Sequence, residues 1–200
     1  MSTKLKKQQW CIAIFLGICT AFSLAAGATA VYAGPGSGFA DVGPGQTVPL
    51  QGNVHIQSPG SPHIPYNSDP PTSGPHVNFI MRWGIHKVPI TLEIQVHNLE
   101  DGGVIIQYHC EKNCGDLVSR LESLVQQYQK KAEIDRSKTG EQHPSRYDHL
   151  ILAPYPGMDT KIALTAWGKI DKFNQFDEER ITKFIEAYVG IDHHPAKEDQ

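Results

Sequence analysis

Seven prolines lie between residues 53 and 90, and they constrain the fold more than any other feature of the sequence. They occupy positions 59, 62, 65, 70, 71, 75 and 89. Because proline has no backbone N–H and a fixed φ, such a segment excludes long helices and central strands. A loop this long in a compact domain is usually functional or disordered. The segment also carries several histidines and aromatic residues, which favours the functional case: His55, His63, Tyr66, His76, Trp83 and His86.

The first 33 residues have the pattern of a secretory signal. Lysines at positions 4, 6 and 7 precede an apolar run from Cys11 to about Ala28, and small residues follow up to Ala33. This order predicts export, with cleavage after Ala33. The alternative is an uncleaved anchor, because the run approaches the ~20 residues that span a bilayer. We therefore expect the protein to be secreted or periplasmic, or anchored to the outer face of the cytoplasmic membrane.

The charge of the exported chain restricts its partners. Removing the three signal lysines from the 18 basic residues leaves 15 against 21 acidic residues, a formal charge of −6. Nucleic-acid binding needs a basic patch, so this balance excludes it. Anionic lipid is also a poor partner, and we expect membrane contact only through residues 11–28 if the signal is uncleaved.

After the signal, the sequence predicts a Gly/Pro-rich linker over residues 34–52, one domain over 53–190 and a polar tail over 191–200. Thr91–Asn98 alternates between polar and apolar residues, which predicts a strand that a turn at 99–103 joins to a second strand, Val104–His109. A register that places His97 opposite Gln107 keeps one face of this hairpin polar.

The remaining elements follow from periodicity and capping. We expect a helix from Asn113 to about Lys131, a polar loop over 133–147, two strands and a last helix that Asp177 caps. The strands are predicted at His149–Ala153 and Ile162–Trp167, and the last helix ends near Tyr188. The order ββαββα predicts an α+β fold, with a small antiparallel sheet, two helices on one face and a long Pro-rich N-terminal loop.

Histidines and carboxylates in three motifs predict a metal site. His76 follows a rigid Pro/Gly turn, and His97 lies near two carboxylates; we expect these groups to converge with a histidine of the loop. Imidazole and carboxylate ligands suit a transition metal, Cu or Zn, better than Ca or Mg. Alternatively, these side chains only hydrogen-bond the loop backbone, because their spacing matches no known metal motif. The predicted ligands are His63, His76, His97, Glu100 and Asp101.

Two cysteines, Cys110 and Cys114, remain after the signal, and an exported chain favours a disulfide between them. Their CxxxC spacing differs from the CxxC of thioredoxin-like enzymes, which favours a structural bond over a redox pair. A third interpretation is Cys/His ligation of copper with His109, if the thiols stay reduced.

No motif predicts catalysis, since the sequence has neither a GxSxG elbow nor a phosphate-binding glycine loop before a helix. We therefore expect the domain to bind or handle a metal without turnover. The alternative function is a non-catalytic accessory or interaction subunit of a cell-envelope complex, with no bound ion. An extracytoplasmic hydrolase or redox enzyme is the least favoured interpretation.

Several motifs resemble one known family between His63 and Tyr188. They are PPTSGPH at 70–76, VHNLE-x-GG at 96–103, the cysteine-containing end of the predicted hairpin, TAWG at 165–168, and the closing helix from Asp177. The chain is similar to the domain of unknown function 3105 family of exported or membrane-tethered bacterial proteins. The resemblance implies no established activity. It also implies that Asp101 stands where the family usually has histidine, which alters any metal site built on that residue.

Overall fold

The computed structural model describes residues 43–112, 114–139 and 143–194. The predicted signal, residues 34–42 of the linker, Asn113 and the end of the tail lie outside the described residues. Export therefore stays a prediction. Within the described part of the chain, no helix combines the length and the apolar character that crossing a bilayer requires.

The fold is α+β, and its main sheet is mixed. The strands are β1 (Gln46–Thr47), β2 (His55–Ile56), β3 (His76–Val77), β4 (Gly84–Ile85), β5 (Val104–Tyr108), β6 (Leu150–Pro154), β7 (Ile162–Ala166) and β8 (Lys169–Phe173). The helices are α1 (Leu92–Glu100), α2 (Gly115–Thr139) and α3 (Glu178–Tyr188), with a short 3₁₀ helix at Arg146–Asp148. Six strands form the main sheet in the order β1-β8-β7-β5-β6-β4, and β2 pairs with β3 separately.

The prediction of an antiparallel sheet is wrong for the strands at one edge, β5, β6 and β4. The pairs β1/β8, β8/β7 and β7/β5 are antiparallel, but β5/β6 and β6/β4 are parallel. Long helix α2 connects β5 to β6, and such a crossover returns the chain to the same end of the sheet, which makes the two strands parallel. The element order ββαββα is wrong as well, because four short strands and helix α1 precede β5, and β8 follows β7.

Each face of the sheet has its own apolar core. On one face, α2 and α3 pack against β5, β6 and β7 through side chains such as Leu121, Phe184 and Ile106, which are fully buried. This matches the expectation of two helices on one face. On the other face, α1 and the Pro-rich loop pack against Ile105 and Ile151. The third helix and the loop therefore close the side of the sheet on which the candidate site lies.

The predicted strand Thr91–Asn98 is helix α1, and this is the main error of the sequence analysis. Every residue of α1 from Ile94 to Glu100 is buried, so the polar residues do not mark a solvent face. Asn98 instead donates to Met81 O at 2.9 Å and accepts from Met81 N at 2.8 Å. The Pro-rich loop provides hydrogen-bond partners for polar side chains inside the protein. The alternation of polar and apolar residues, which predicted a strand, therefore does not show which side chains are exposed. The predicted hairpin and its His97–Gln107 register are wrong with it.

Other elements agree more closely with the sequence. The strands predicted at 104–109, 149–153 and 162–167 are confirmed as β5, β6 and β7. The last helix is confirmed, and Asp177 caps it by accepting from Arg180 N at 3.0 Å. Helix α2 runs to Thr139, so the first half of the predicted loop 133–147 is wrong. Strand β8 was not predicted, and residues 46–47 of the predicted linker pair with it as β1.

A polar cluster ties the helical face together. The Glu186 carboxylate on α3 accepts hydrogen bonds from Lys131 and Tyr128 on α2 and from Tyr147 in the 3₁₀ helix. Burial disfavours the ionised form of Glu186, but the hydrogen bonds from these three donors outweigh it and lower the pKa of the carboxyl below its usual 4.5.

The disulfide predicted between Cys110 and Cys114 is confirmed. Its Cα atoms are 6.0 Å apart, and it links the segment after β5 to the residue before α2.

Candidate metal centre

Helix α1 supplies three of the candidate groups from its last turn. His97, Glu100 and Asp101 are separated by three and four residues, a spacing that places side chains on the same face of a helix. His97 and Glu100 are buried, while Asp101 lies at the helix end and is partly exposed. The end of α1 therefore presents one imidazole and two carboxylates towards the Pro-rich loop.

The Pro-rich loop brings two further histidines to the same place. Strands β2 and β3 pair in parallel, with His55 directly opposite His76. Their ring centroids are 4.8 Å apart, and the His97 ring lies 5.0 Å from His76 and 5.4 Å from His55. Ligand atoms from His55, His76, His97 and Glu100 all lie within 4.8 Å of one another. The short parallel pair thus places His55 in the group.

Backbone carbonyls fix the tautomers of the two buried histidines. His76 Nδ1 lies 2.8 Å from Gly74 O, and His97 Nδ1 lies 2.6 Å from Val77 O. A carbonyl oxygen only accepts, so each Nδ1 carries a proton and donates it. In a neutral ring, Nε2 then keeps a free lone pair. Metal-binding histidines are held in the same way, with one ring nitrogen donating to a carbonyl and the other free to bind the ion.

Glu100 is buried without a hydrogen-bond donor. The residue is 1% exposed, and neither carboxylate oxygen has a hydrogen-bond partner; the same holds for His76 Nε2. Yet His76 Nε2 and Glu100 Oε2 are only 2.9 Å apart. The two atoms approach each other closely but are not aligned as donor and acceptor. A buried carboxylate without a hydrogen-bond donor costs several kcal/mol unless a cation or a proton compensates it.

Burial also determines the charge of the central imidazole. Desolvation lowers the pKa of His76 below its usual 6.5, and this outweighs the opposite effects of the Gly74 carbonyl and Glu100. The ring is therefore neutral at physiological pH. A neutral imidazole is the form that binds metal.

A second group of ligand atoms adjoins the first. His97, Asp101 and His194 also have ligand atoms within 4.8 Å of one another. His194 comes from the predicted polar tail, and its Nε2 lies 3.4 Å from Glu100 Oε2. The tail is held here because His193 N donates to Glu100 O at 2.9 Å. A hydrogen bond to Asp192 raises the pKa of His194 above its usual 6.5.

The structure gathers most, but not all, of the ligands predicted from sequence. It brings His76, His97 and Glu100 into one group and places Asp101 in the adjoining group. His63 is in neither group: its Nε2 lies 3.7 Å from Glu93 and its ring 4.9 Å from that of Tyr66. His55 takes the place that we expected His63 to fill. The sequence contains no pattern that marks the two-residue strand pairing His55 with His76.

The comparisons with known proteins identify a family but no activity. No curated protein and no solved structure matches the chain significantly. Residues 57–200 match the family described as Protein of unknown function (DUF3105). This range contains three members of the His/Glu group, all except His55, and also the disulfide. Since the match covers well over half of the sequence, the resemblance seen in the motifs is confirmed, and the chain belongs to the DUF3105 family.

Proposed function

We propose that this protein binds one transition-metal ion through His55, His76, His97 and Glu100. The observation that carries the proposal is the 2.9 Å approach of His76 Nε2 to Glu100 Oε2, both buried and neither hydrogen-bonded. A purely structural polar network would satisfy these atoms, because buried polar groups are almost always paired. A cation between them supplies the missing partner for both atoms.

The donor set favours a borderline metal. Three imidazoles and one carboxylate suit Zn²⁺ or Cu²⁺, whereas Ca²⁺ and Mg²⁺ prefer shells made of oxygen. The fixed Nδ1 protons of His76 and His97 add the outer hydrogen bonds that orient metal-binding imidazoles. Zn²⁺ and Cu²⁺ are therefore the ions to test first.

The spacing of the group is close to that of a bound ion. Zn–N bonds of about 2.0 Å place tetrahedral ligand atoms about 3.3 Å apart. The atoms here are separated by up to 4.8 Å, so binding requires a contraction of about 1.5 Å at the widest pair. His55 is exposed and the other three residues are buried. The exposed side therefore gives the ion a route in, and closure by His55 completes the shell.

Four protein ligands leave no open position, which is typical of holding an ion rather than of catalysis. We propose that the protein binds or handles metal outside the cytoplasm, as the signal-like N-terminus predicts. The alternative, an accessory subunit of an envelope complex without an ion, becomes the better interpretation if no metal binds.

Titration calorimetry of the metal-stripped protein with Zn²⁺ and Cu²⁺ tests the proposal. We expect one ion per chain for at least one of the two metals, and at least a tenfold weaker affinity, an order-of-magnitude figure, in His55→Gln. His55 is exposed, so this variant should fold normally. His63→Gln is the matched control and should bind as the native protein does. Binding of neither metal, or equal losses in the two variants, would overturn the assignment.

A further inference from the structure

The Cys110–Cys114 disulfide lies at the predicted strand-to-helix turn, and the strands on either side of the helix are parallel rather than antiparallel as predicted. Cys110 follows central strand β5, and Cys114 directly precedes α2, which connects β5 to its parallel neighbour β6. Val118 N donates to Cys114 O at 2.9 Å, so Cys114 is the residue that caps the helix. A cysteine pair at the strand-to-helix turn of such a βαβ unit is where thioredoxin-like proteins carry their redox cysteines.

This disulfide contributes less to the stability of the fold than a bond that closes a long loop would. It links residues that are four apart in the chain. A disulfide stabilises a protein mainly by lowering the entropy of the unfolded chain, and this effect grows with the length of the loop that the bond closes. Both cysteines are only partly buried, whereas structural bonds of small domains usually join distant elements. A purely structural role leaves this placement unexplained.

An open groove beside the disulfide provides space for a second molecule. It has a volume of about 560 Å³ and is lined by both cysteines, by Met158 and Lys161 of the segment between β6 and β7, and by Asn174 after β8. Lys161 is fixed in place because its N–H donates to Asn174 Oδ1 at 3.0 Å and its carbonyl accepts from His109 N at 3.0 Å. The volume lies within the range of ligand pockets, and both partly buried cysteines line it.

We infer that the Cys110–Cys114 disulfide is a redox-active pair that exchanges with the thiols of a polypeptide bound in this groove. The inference is independent of the proposed metal site. The two-electron reduction of the disulfide must be balanced by the oxidation of two thiols, and a polypeptide with two cysteines carries both in one molecule.

The exchange has two steps. A substrate thiolate attacks Cys110 Sγ, the Cys110–Cys114 bond breaks, and Cys114 leaves as a thiolate. The second substrate thiolate then attacks the substrate sulfur of the mixed disulfide and releases Cys110 as a thiolate. The substrate loses two electrons and two protons, and the protein gains both as two thiols. Cys114 is the better leaving group because the N-terminal end of a helix stabilises a thiolate.

The test uses the full, oxidised chain with chelator present and a reduced peptide that contains two cysteines. We expect one equivalent of peptide disulfide per chain, at a rate at least tenfold that with an equal concentration of oxidised glutathione, an order-of-magnitude threshold. Alkylation and mass spectrometry should locate two new thiols at Cys110 and Cys114. The double variant Cys110→Ser/Cys114→Ser should be inactive, which excludes a contribution from Cys11 and Cys19.

Two further measurements separate a redox role from a structural one. The double serine variant should stay folded and melt only a few degrees below the native protein, as the short loop predicts. Without chelator, it should titrate with metal as the native protein does. In the single variants, iodoacetamide should alkylate Cys114 at a lower pH than Cys110. A disulfide that opens only in denaturant, or exchanges no faster than oxidised glutathione, refutes the inference.

Discussion

Replacing Glu100 by glutamine should stabilise the metal-free protein, although the residue is buried. Both oxygens of its carboxylate lack a hydrogen-bond partner, and the carboxylate lies 2.9 Å from the free lone pair of His76 Nε2. A glutamine amide at this place has nearly the same shape and removes the charge. An unsatisfied buried polar group costs about 1–3 kcal/mol and more when charged. We therefore expect Glu100→Gln to raise the free energy of unfolding by about 1–2 kcal/mol without metal.

With metal bound, the native protein should instead be more stable than Glu100→Gln. At a free metal concentration of 100 times the native Kd, binding stabilises the native protein by about 2.7 kcal/mol. Loss of a ligand should weaken affinity at least as much as loss of an outer-shell partner, for which about 100-fold is the upper figure. The variant then gains only about 0.4 kcal/mol at the same concentration. The two metal-induced gains differ by about 2.3 kcal/mol, which corresponds to about 5–9 °C in the melting temperature.

Thermal melts followed by circular dichroism, with chelator and with Zn²⁺ or Cu²⁺, measure both quantities. These melts are best recorded at about pH 8, because the pKa of neighbouring His194 is raised above 6.5 and its protonation contributes least there. Glu93→Gln is the control, because Glu93 lies on the same helix but contacts His63 and Gly60 outside the group. The reasoning is refuted if Glu100→Gln melts lower than the native protein in chelator, or if metal raises both melting temperatures equally.

Four further predictions concern other parts of the chain. N-terminal sequencing of exported protein should begin at Gly34, and an intact N-terminus on a membrane-bound chain would indicate an anchor. Since the folded pKa of Glu186 is lowered, its stabilising contribution is present above about pH 4.5 and is lost as pH falls; acid titration of Glu186→Gln should show a shallower loss of stability. Gly103→Ala should destabilise by about 1–3 kcal/mol in denaturant melts, because its methyl group would lie 2.4 Å from a backbone oxygen of α1. Gly115→Ala, with open space around it, should be neutral. Asp101→His should change Cu or Zn affinity little in calorimetry, because Asp101 lies outside the four-residue group that is proposed to bind the ion.

The sequence predicts elements that have either one buried stripe or a short, mainly apolar run. Helix α3 has a single buried stripe through Ile181, Phe184 and Ile185, and its period is readable. Strands β5 and β6 are mainly apolar runs of strand length, and they too are found. Helix α1 has no exposed face at all, so neither a helical nor a strand period describes it. The parallel pairing of β5 with β6 follows from the helix between them, because even the predicted helix, residues 113–131, is long enough for a crossover.

The sequence predicts which residues are candidate ligands more readily than it predicts how the fold arranges them. The spacing of His97, Glu100 and Asp101 is a helical one, and this pattern could have predicted α1 if chemistry had been weighed against the apparent alternation. His63 and His55 are indistinguishable by composition, because both lie in the same proline-rich segment. What separates them is the pairing of β2 with β3, two residues on each side. No local pattern predicts an element so short, because tertiary contacts hold it in place.

The histidines can be interpreted either as a polar network or as a metal site, and each interpretation accounts for different atoms of the same residues. The Nδ1 atoms of His76 and His97 do hydrogen-bond the loop backbone, as the structural interpretation predicts. That interpretation leaves His76 Nε2 and both Glu100 oxygens without hydrogen-bond partners, in a region where the side chains are at most 1% exposed. Because an unpaired polar atom costs more than a hydrogen bond gains, a network built only for stability would not end on three such atoms. The backbone bonds are therefore best explained as the supports that aim the free ligand atoms at one point.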